Sequence, residues 1–247
     1  MADFFSTQSS IYAKNRPTYP DELFLLLKNL CHEHQLAWDV ATGNGQCAIS
    51  LSDFFTNVYA TDLSEEQISN SFKRQNIQYK VEHAEKSSLK NESADLITVA
   101  TAIHWFDIPA FYKEVHRVLK PGGILAAWGY GGCSVTKEID VLIDHFSFET
   151  LKSYWPWQTR LNWEHKYKTL PFPYELIETP VFKASAHQNL KEFIAYMNSW
   201  SAVQVYIKQH GNNPVDTITN ELTHLWVDES IARKVSWELF MKCGRKP

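Results

Sequence analysis

Between residues 20 and 130 the apolar positions switch repeatedly between two rhythms. PDELFLLLKNLCHEH (20–34) carries leucines at helical spacing, behind a proline and two acids that suit a first helical turn. LAWDVA (36–41) is a short apolar run bounded by turn residues, as expected of a buried strand. CAISLSDFF predicts a helix, and NVYAT (57–61) a second strand ending at Asp62. LSEEQI marks a new helix start: Ser64 stands three residues ahead of Gln67, and Leu63 and Ile68 are placed for a hydrophobic staple. IQYKVEH (77–83) alternates as a third strand, and ADLITVAT (94–101) is a continuous apolar fourth. Ile108, Phe111, Tyr112, Val115, Val118 and Leu119 share one face of an amphipathic helix. KPGG (120–123) is expected to stop that helix, and ILAAWGY (124–130) to form a fifth strand. Strands alternating with helices in this way build a parallel sheet with helices on both faces.

Beyond residue 131 the rhythm changes. Residues 131–179 are aromatic and read as mostly helical, PVFKASA (180–186) resembles another strand, and two helical stretches follow. RKVSWELFMKCG (233–244) alternates as a last, edge strand. The chain thus divides into a leading lid with the first helix (1–35), an α/β core (36–130) and an aromatic insertion with the closing strands (131–247), within one compact domain.

Composition narrows the function. With 247 residues, 44% hydrophobic and 21% charged, the chain can bury a sizeable core, and a net charge of −4 offers no basic face to nucleic acid or an anionic membrane. No apolar run reaches the ~18 residues of a membrane span. Four scattered cysteines without a C-x-x-C pair indicate free thiols, and the first residues lack the pattern of a secretory signal, so the cytoplasm is the expected location. CHEH (31–34) superficially suggests metal ligands, but no second cluster and no H-E-x-x-H accompanies it; its polar residues are expected to face solvent and no metal is expected.

DVATGNGQ (39–46) is ambiguous. Gly43, Gly45 and Ala48 satisfy the dinucleotide pattern G-x-G-x-x-G/A, whereas Asp39 ahead of the glycines suggests something else. A dinucleotide brings a pyrophosphate to the helix N-terminus. S-adenosylmethionine has no phosphate; its carboxylate can use the loop amides, and its ammonium wants a carboxylate or carbonyl, an end that Asp39 would help to organise. Under either reading Asp62 would accept hydrogen bonds from ribose hydroxyls. Open α/β sheets bind ligands at the carboxyl ends of their strands, so the glycine loop, Asp62, HAEKSS (83–88) and TAIHWFD (101–107) form the candidate site.

Taken in order, DVATGNGQ, ATDLSEEQI, HAEKSSLKNESADLITVATAIHWFD and EVHRVLKPGGILAAWGY resemble the successive motifs of class I S-adenosylmethionine-dependent methyltransferases, over roughly residues 36–130. YAKNRPTYP, AIHWFD, YWPWQTRLNW, LPFPYE and the terminal RKP resemble, more narrowly, the trans-aconitate methyltransferase-like branch, over most of the chain. The resemblance implies a Rossmann-like, seven-stranded, mostly parallel sheet with an antiparallel last strand. It implies S-adenosylmethionine as cofactor, S-adenosylhomocysteine as product, and a small-molecule acceptor methylated at a carboxylate or hydroxyl oxygen. It places Asp39, Gly43 and Gly45 at the methionine end, Asp62 at the ribose, Leu63 beside the adenine, Ala84 and Glu85 near the adenine edge, and Ala102 near the methyl-bearing centre. Ala41 stands where the family pattern has its first glycine. A negative φ there would make alanine harmless; a positive φ would strain or shift the loop.

A carboxylate acceptor needs no general base, only cationic or hydroxyl groups to position it. Arg16, Tyr12 and Tyr19 in the leading segment are candidates, the competing account being a loose surface terminus. His104 would orient the acceptor, or act as base for a hydroxyl, against the plainer account of a packing histidine. Trp105 suits a pocket wall, and Trp155, Trp157 and Trp200 either line an acceptor pocket or pack the core. TAIHWFD lacks the N/D-P-P-Y/F of base-amine methyltransferases, a further argument against nucleic acid. A non-catalytic S-adenosylmethionine-binding scaffold or sensor and an NAD(P)-dependent oxidoreductase are the competing readings.

Overall fold

The computed structural model describes residues 17–247, the side chains of residues 161–163 excepted. At its centre seven strands form one sheet in the order β3-β2-β1-β4-β5-β7-β6. They are β1 (Leu36–Val40), β2 (Asn57–Asp62), β3 (Ile77–Val81), β4 (Ala94–Ala100), β5 (Leu119–Tyr130), β6 (Lys183–Gln188) and β7 (Arg233–Arg245). β1 to β5 pair in parallel, and β7 runs antiparallel to both of its neighbours. The Rossmann-like sheet that the resemblance implied is therefore present.

Three local expectations are corrected. β7 is not an edge: it is inserted between β5 and β6, and β6 takes the edge, presenting Lys183, Ser185 and His187 to solvent. β6 also starts at Lys183 rather than at residue 180, where Pro180 has no N–H to give a ladder. KPGG does not end a helix. The helix α4 (Ile108–Val118) stops at Leu119, whose backbone is already extended, and KPGG forms the irregular start of β5, with Gly122 at φ +78°.

Each face of the sheet carries its own core, as the alternation of side chains requires. On one face Ala37, Val58, Leu96, Ala126, Trp128 and Cys243 meet the helices α1 (Asp21–Leu30) and α2 (Gln46–Leu51). On the other, Trp38, Val40, Ile97, Val99, Leu125 and Ala127 meet Phe111, Val115 and Val118 of α4. A short helix, α3 (Glu65–Ser69), follows β2.

The insertion supplies α5 (Lys137–His145), a π-helical turn at Phe146–Thr150, and α6 (Trp157–His165). Three helices rather than two lie between β6 and β7: α7 (Leu190–Asn198), α8 (Ser201–His210) and α9 (Asp216–Trp226). Aromatic rings join these helices to the sheet. Trp200 packs against Trp155 at 5.7 Å and Tyr196 at 5.7 Å, and Tyr196 accepts the Trp237 indole N–H at 2.8 Å. At the opposite end of the sheet, Lys246 donates to the His116 and Leu119 carbonyls at 2.8 Å, and Arg245 donates to the Leu30 carbonyl at 2.8 Å. The terminal basic residues thus satisfy carbonyls at the C-termini of α4 and α1 and complement the negative ends of those helix dipoles.

Candidate cofactor and acceptor site

The strand order reverses between β1 and β4, and both strands end on a non-glycine residue in the left-handed region: Ala41 at φ +53° and Thr101 at φ +57°. The hydrogen bonds explain why. Thr42 N–H reaches sideways to the Thr61 carbonyl on β2 at 2.9 Å, whereas Thr101 N–H reaches the other way, to the Trp128 carbonyl on β5 at 2.7 Å. Two adjacent strand ends are hooked apart, and a crevice opens between them, where such sheets bind ligands. Ala41 therefore falls on the strained branch of the expectation, at a cost of about 1–2 kcal/mol. Thr101, being β-branched, is the greater outlier of the two.

The glycine loop is held from below by Asp39. This carboxyl is fully buried and accepts the Thr42 hydroxyl at 2.5 Å and the Thr98 hydroxyl at 2.8 Å. Burial raises its pKa above the ordinary carboxylate value, against the opposing pull of those hydrogen bonds. Sequence reasoning passed over both threonines. Thr42 was accessible to it, three residues beyond Asp39 and within reach of a local side-chain bond. Thr98 depends on strand register and has no local signal.

Asp62 ties the loop to the end of β2: one carboxylate oxygen accepts Gly43 N–H at 2.8 Å and the other accepts Ser64 N–H at 2.9 Å. Ser64 in turn caps α3, accepting Gln67 N–H at 3.2 Å. Leu63 beside it is 42% exposed, while Ala84 and Ala102 are buried. Glu85 accepts Asp107 N–H at 3.0 Å, and Asp107 caps α4 through Ala110 N–H at 3.2 Å. The four candidate stretches are thus brought to one end of the sheet.

His104 and Trp105 occupy a 3₁₀ turn, Ile103–Trp105, after β4, with their rings 5.1 Å apart. Burial pushes the imidazole down to about 4, so it is neutral at neutral pH. The Tyr19 and Thr101 hydroxyls are paired at 3.2 Å, and the Tyr19 ring stands edge-on to Trp128 at 5.4 Å. Tyr12 and Arg16 lie outside the described residues. Trp155 and Trp200 are packed in the interior of the insertion, the Trp155 indole N–H donating to the Ser147 carbonyl at 3.0 Å, and Trp157 is 64% exposed. Among the tryptophan candidates, Trp105 alone sits on a strand-end loop.

The CHEH side chains diverge. Cys31 is buried, not solvent-facing, because it continues the apolar face of α1; its thiol points at the Asp95 carbonyl at 3.7 Å. His34 bonds the Lys28 carbonyl at 2.9 Å and Glu33 pairs with Lys120 at 2.9 Å. Among the described residues no group of three metal-ligating side chains gathers.

Residues 38–127 match the family described as "Methyltransferase domain". A Dictyostelium discoideum protein named as a methyltransferase is 35% identical over 217 residues, which span 86% of this chain and 82% of that protein. The chain belongs to the class I S-adenosylmethionine-dependent methyltransferases. A solved structure from Anaeromyxobacter dehalogenans, described as a type II methyltransferase, is 33% identical with a TM-score of 0.86, covering 93% of this methyltransferase and 97% of that chain. A Saccharomyces cerevisiae protein named as an S-adenosylmethionine-dependent methyltransferase is 22% identical over 97% of this chain and 96% of its own length. Family membership overturns the oxidoreductase reading of the glycine loop and sets aside the non-catalytic one. Among the described residues of this methyltransferase, no helix is long and apolar enough to cross a membrane.

Proposed function

We propose that this methyltransferase moves the methyl group of S-adenosylmethionine to an oxygen of a small-molecule acceptor, in first place a carboxylate. The observation that carries this reading is the state of His104. An imidazole held at about 4 is too weak a base to take a proton from a hydroxyl of pKa ~10 or above. An acceptor that arrives already ionised suits such a site, where the neutral ring would help to orient it. Tyr19, presented at the end of β4 through Thr101, would help to position the anion, with Tyr12 and Arg16 as further candidates.

The residues at the strand ends fit the cofactor. Asp62, whose two carboxylate oxygens already tie the glycine loop to the end of β2, would accept the ribose hydroxyls. Gly43 and Gly45 would receive the methionine end, with Asp39 acting from below through Thr42. Ala41 would lend its backbone, Leu63, Ala84 and Glu85 would border the adenine, and Ala102 would lie nearest the reacting centre. The cofactor supplies a methyl carbon already activated by its sulfonium. The protein's share is to hold acceptor oxygen, methyl and sulfur in line near ~3 Å contact, where orientation contributes about 7–11 kcal/mol. Anion and sulfonium lose charge together in that step, so half-buried aromatic surroundings such as Trp105 and Tyr19 would favour it.

A methyl-transfer screen over carboxylic acids and phenols, with products identified by mass spectrometry, tests the proposal. Methyl esters are expected, with kcat/KM flat between about pH 6 and 8, because no base has to be unprotonated. A phenolic ether with a rising alkaline limb would move the reading to a base-assisted hydroxyl acceptor. A product methylated at nitrogen would sink it.

A further inference from the structure

Four strands each contribute one residue to a single row across the sheet. Thr98 of β4 lies opposite Asp39 of β1, Asp39 opposite Ala60 of β2, and Ala60 opposite Tyr79 of β3. Three of the four are polar, although the preceding residues on the same face, Ala37, Val58 and Leu96, belong to the apolar core. The row runs under the glycine loop. Asp39 and Thr98 are bonded to each other, and Ala60 is small enough to leave room beside it. The Tyr79 hydroxyl ends directly beneath Gly45: a Cβ on that glycine would lie 2.2 Å from it, and Gly45 stands at φ +86°. A side chain at 45 is thus excluded by contact and by conformation alike.

That hydroxyl is buried and makes no hydrogen bond. The Ser71 hydroxyl is close by, but it donates to the Ile68 carbonyl at 2.7 Å and accepts from Lys73 at 3.2 Å. The Lys73 ammonium also lies over the Tyr79 ring, 5.3 Å from its centroid. Burial, with the charge of Asp39 added, pushes the phenol up to about 12 against the smaller opposing pull of the Ser71 hydroxyl, so it keeps its proton. Tyr79 is thus a buried donor that makes no hydrogen bond, the Ser71 hydroxyl beside it being already engaged, and it lies under the loop proposed to receive the cofactor. Buried polar groups are nearly always satisfied, and an orphan at such a place indicates a bond made in another state of the protein.

We infer that Tyr79 is a positioning residue for the amino-acid end of the cofactor, its ring supporting Gly45 and its hydroxyl gaining a loop carbonyl only when the loop closes on S-adenosylmethionine. This rests on the S-adenosylmethionine reading of the site and adds to it a residue outside the glycine motif. Covered by Gly45, the hydroxyl acts through the loop.

Tyr79→Phe keeps the ring and removes the hydroxyl. Wild type and variant are titrated calorimetrically with S-adenosylmethionine, S-adenosylhomocysteine and 5′-methylthioadenosine, which lacks the amino-acid end, and both are unfolded thermally without ligand. The variant is expected to bind the first two about tenfold more weakly and the third as wild type does. Its ligand-free unfolding temperature should be equal or higher, since an unsatisfied donor is gone. A merely structural hydroxyl would lower that temperature and weaken all three ligands alike; this result, or wild-type affinity for all three, overturns the inference. Wild type binding none of the three would instead remove the cofactor reading on which it stands.

Discussion

On the β1–β3 side of the crevice, polar groups are held by hydrogen bonds to backbone and hydroxyls, whereas the insertion beyond residue 131 is held by ring packing. Asp39, Asp62 and Glu85 each commit carboxylate oxygens to a named hydroxyl or amide, and these bonds fix where the glycine loop, β2 and α4 meet. In the insertion, Trp200 meets Trp155 and Tyr196, and Phe193 meets Trp226 at 5.5 Å. Hydrogen bonds are directional and set position; apolar burial is not directional and sets stability. Damage on the first side should therefore appear in ligand affinity, and damage on the second in unfolding free energy.

Trp200→Ala is the strongest test of that contrast. Truncating this buried ring should cost about 3–5 kcal/mol in urea unfolding while leaving S-adenosylmethionine affinity unchanged. Preserved stability with a raised acceptor KM would show that the ring walls a pocket instead. Asp62→Ala comes next: each lost hydrogen bond to the charged carboxylate is worth about 1.5–3 kcal/mol, so calorimetric affinity for the cofactor should fall at least tenfold. Unchanged affinity takes Asp62 out of the site.

His104 joins the two sides through pH. Its folded pKa of about 4 lies below the ordinary 6.5, so between those values the unfolded chain binds more protons and stability falls on acidification. The wild type should lose about 2 kcal/mol at pH 5 relative to pH 7 from this group. Asp39, shifted upward, acts in the opposite sense but is common to wild type and His104→Gln, so the difference between their unfolding curves isolates the histidine. Parallel curves would show that the ring is not held neutral. The smallest effect belongs to Ala41→Gly. Relief of the left-handed strain outweighs the added chain entropy, giving a gain of up to about 1 kcal/mol in unfolding free energy. A loss would mean that the alanine methyl contributes packing greater than the strain.

Much of the core was legible. β1, β2 and β4 fall within a residue of their sequence boundaries because each is an apolar run bounded by turn residues, and both signals are local. The glycine loop, Asp62 and the His104 turn could be singled out because a strand–loop–helix unit keeps the residues at a strand's carboxyl end contiguous in sequence. Pro180-Val181-Phe182 misled, since β-branched and aromatic residues signal strand whether or not a partner is there to pair with. Trp155, Trp157 and Trp200 were indistinguishable in sequence, yet two are interior and one is mostly exposed, because nothing local says which way a ring on an irregular segment points.

The amino-acid order was enough to specify the alternating α/β core, the glycine loop and the acids at the strand ends. Folding decided that β7 lies inside β6, that Ala41 and Thr101 are wrenched into left-handed conformations, and that Tyr79 reaches Gly45 across Ala60. Each of these depends on register between segments far apart in the chain. Such pairings are chosen by the burial of whole faces together, and they leave no mark on the neighbours of any single residue.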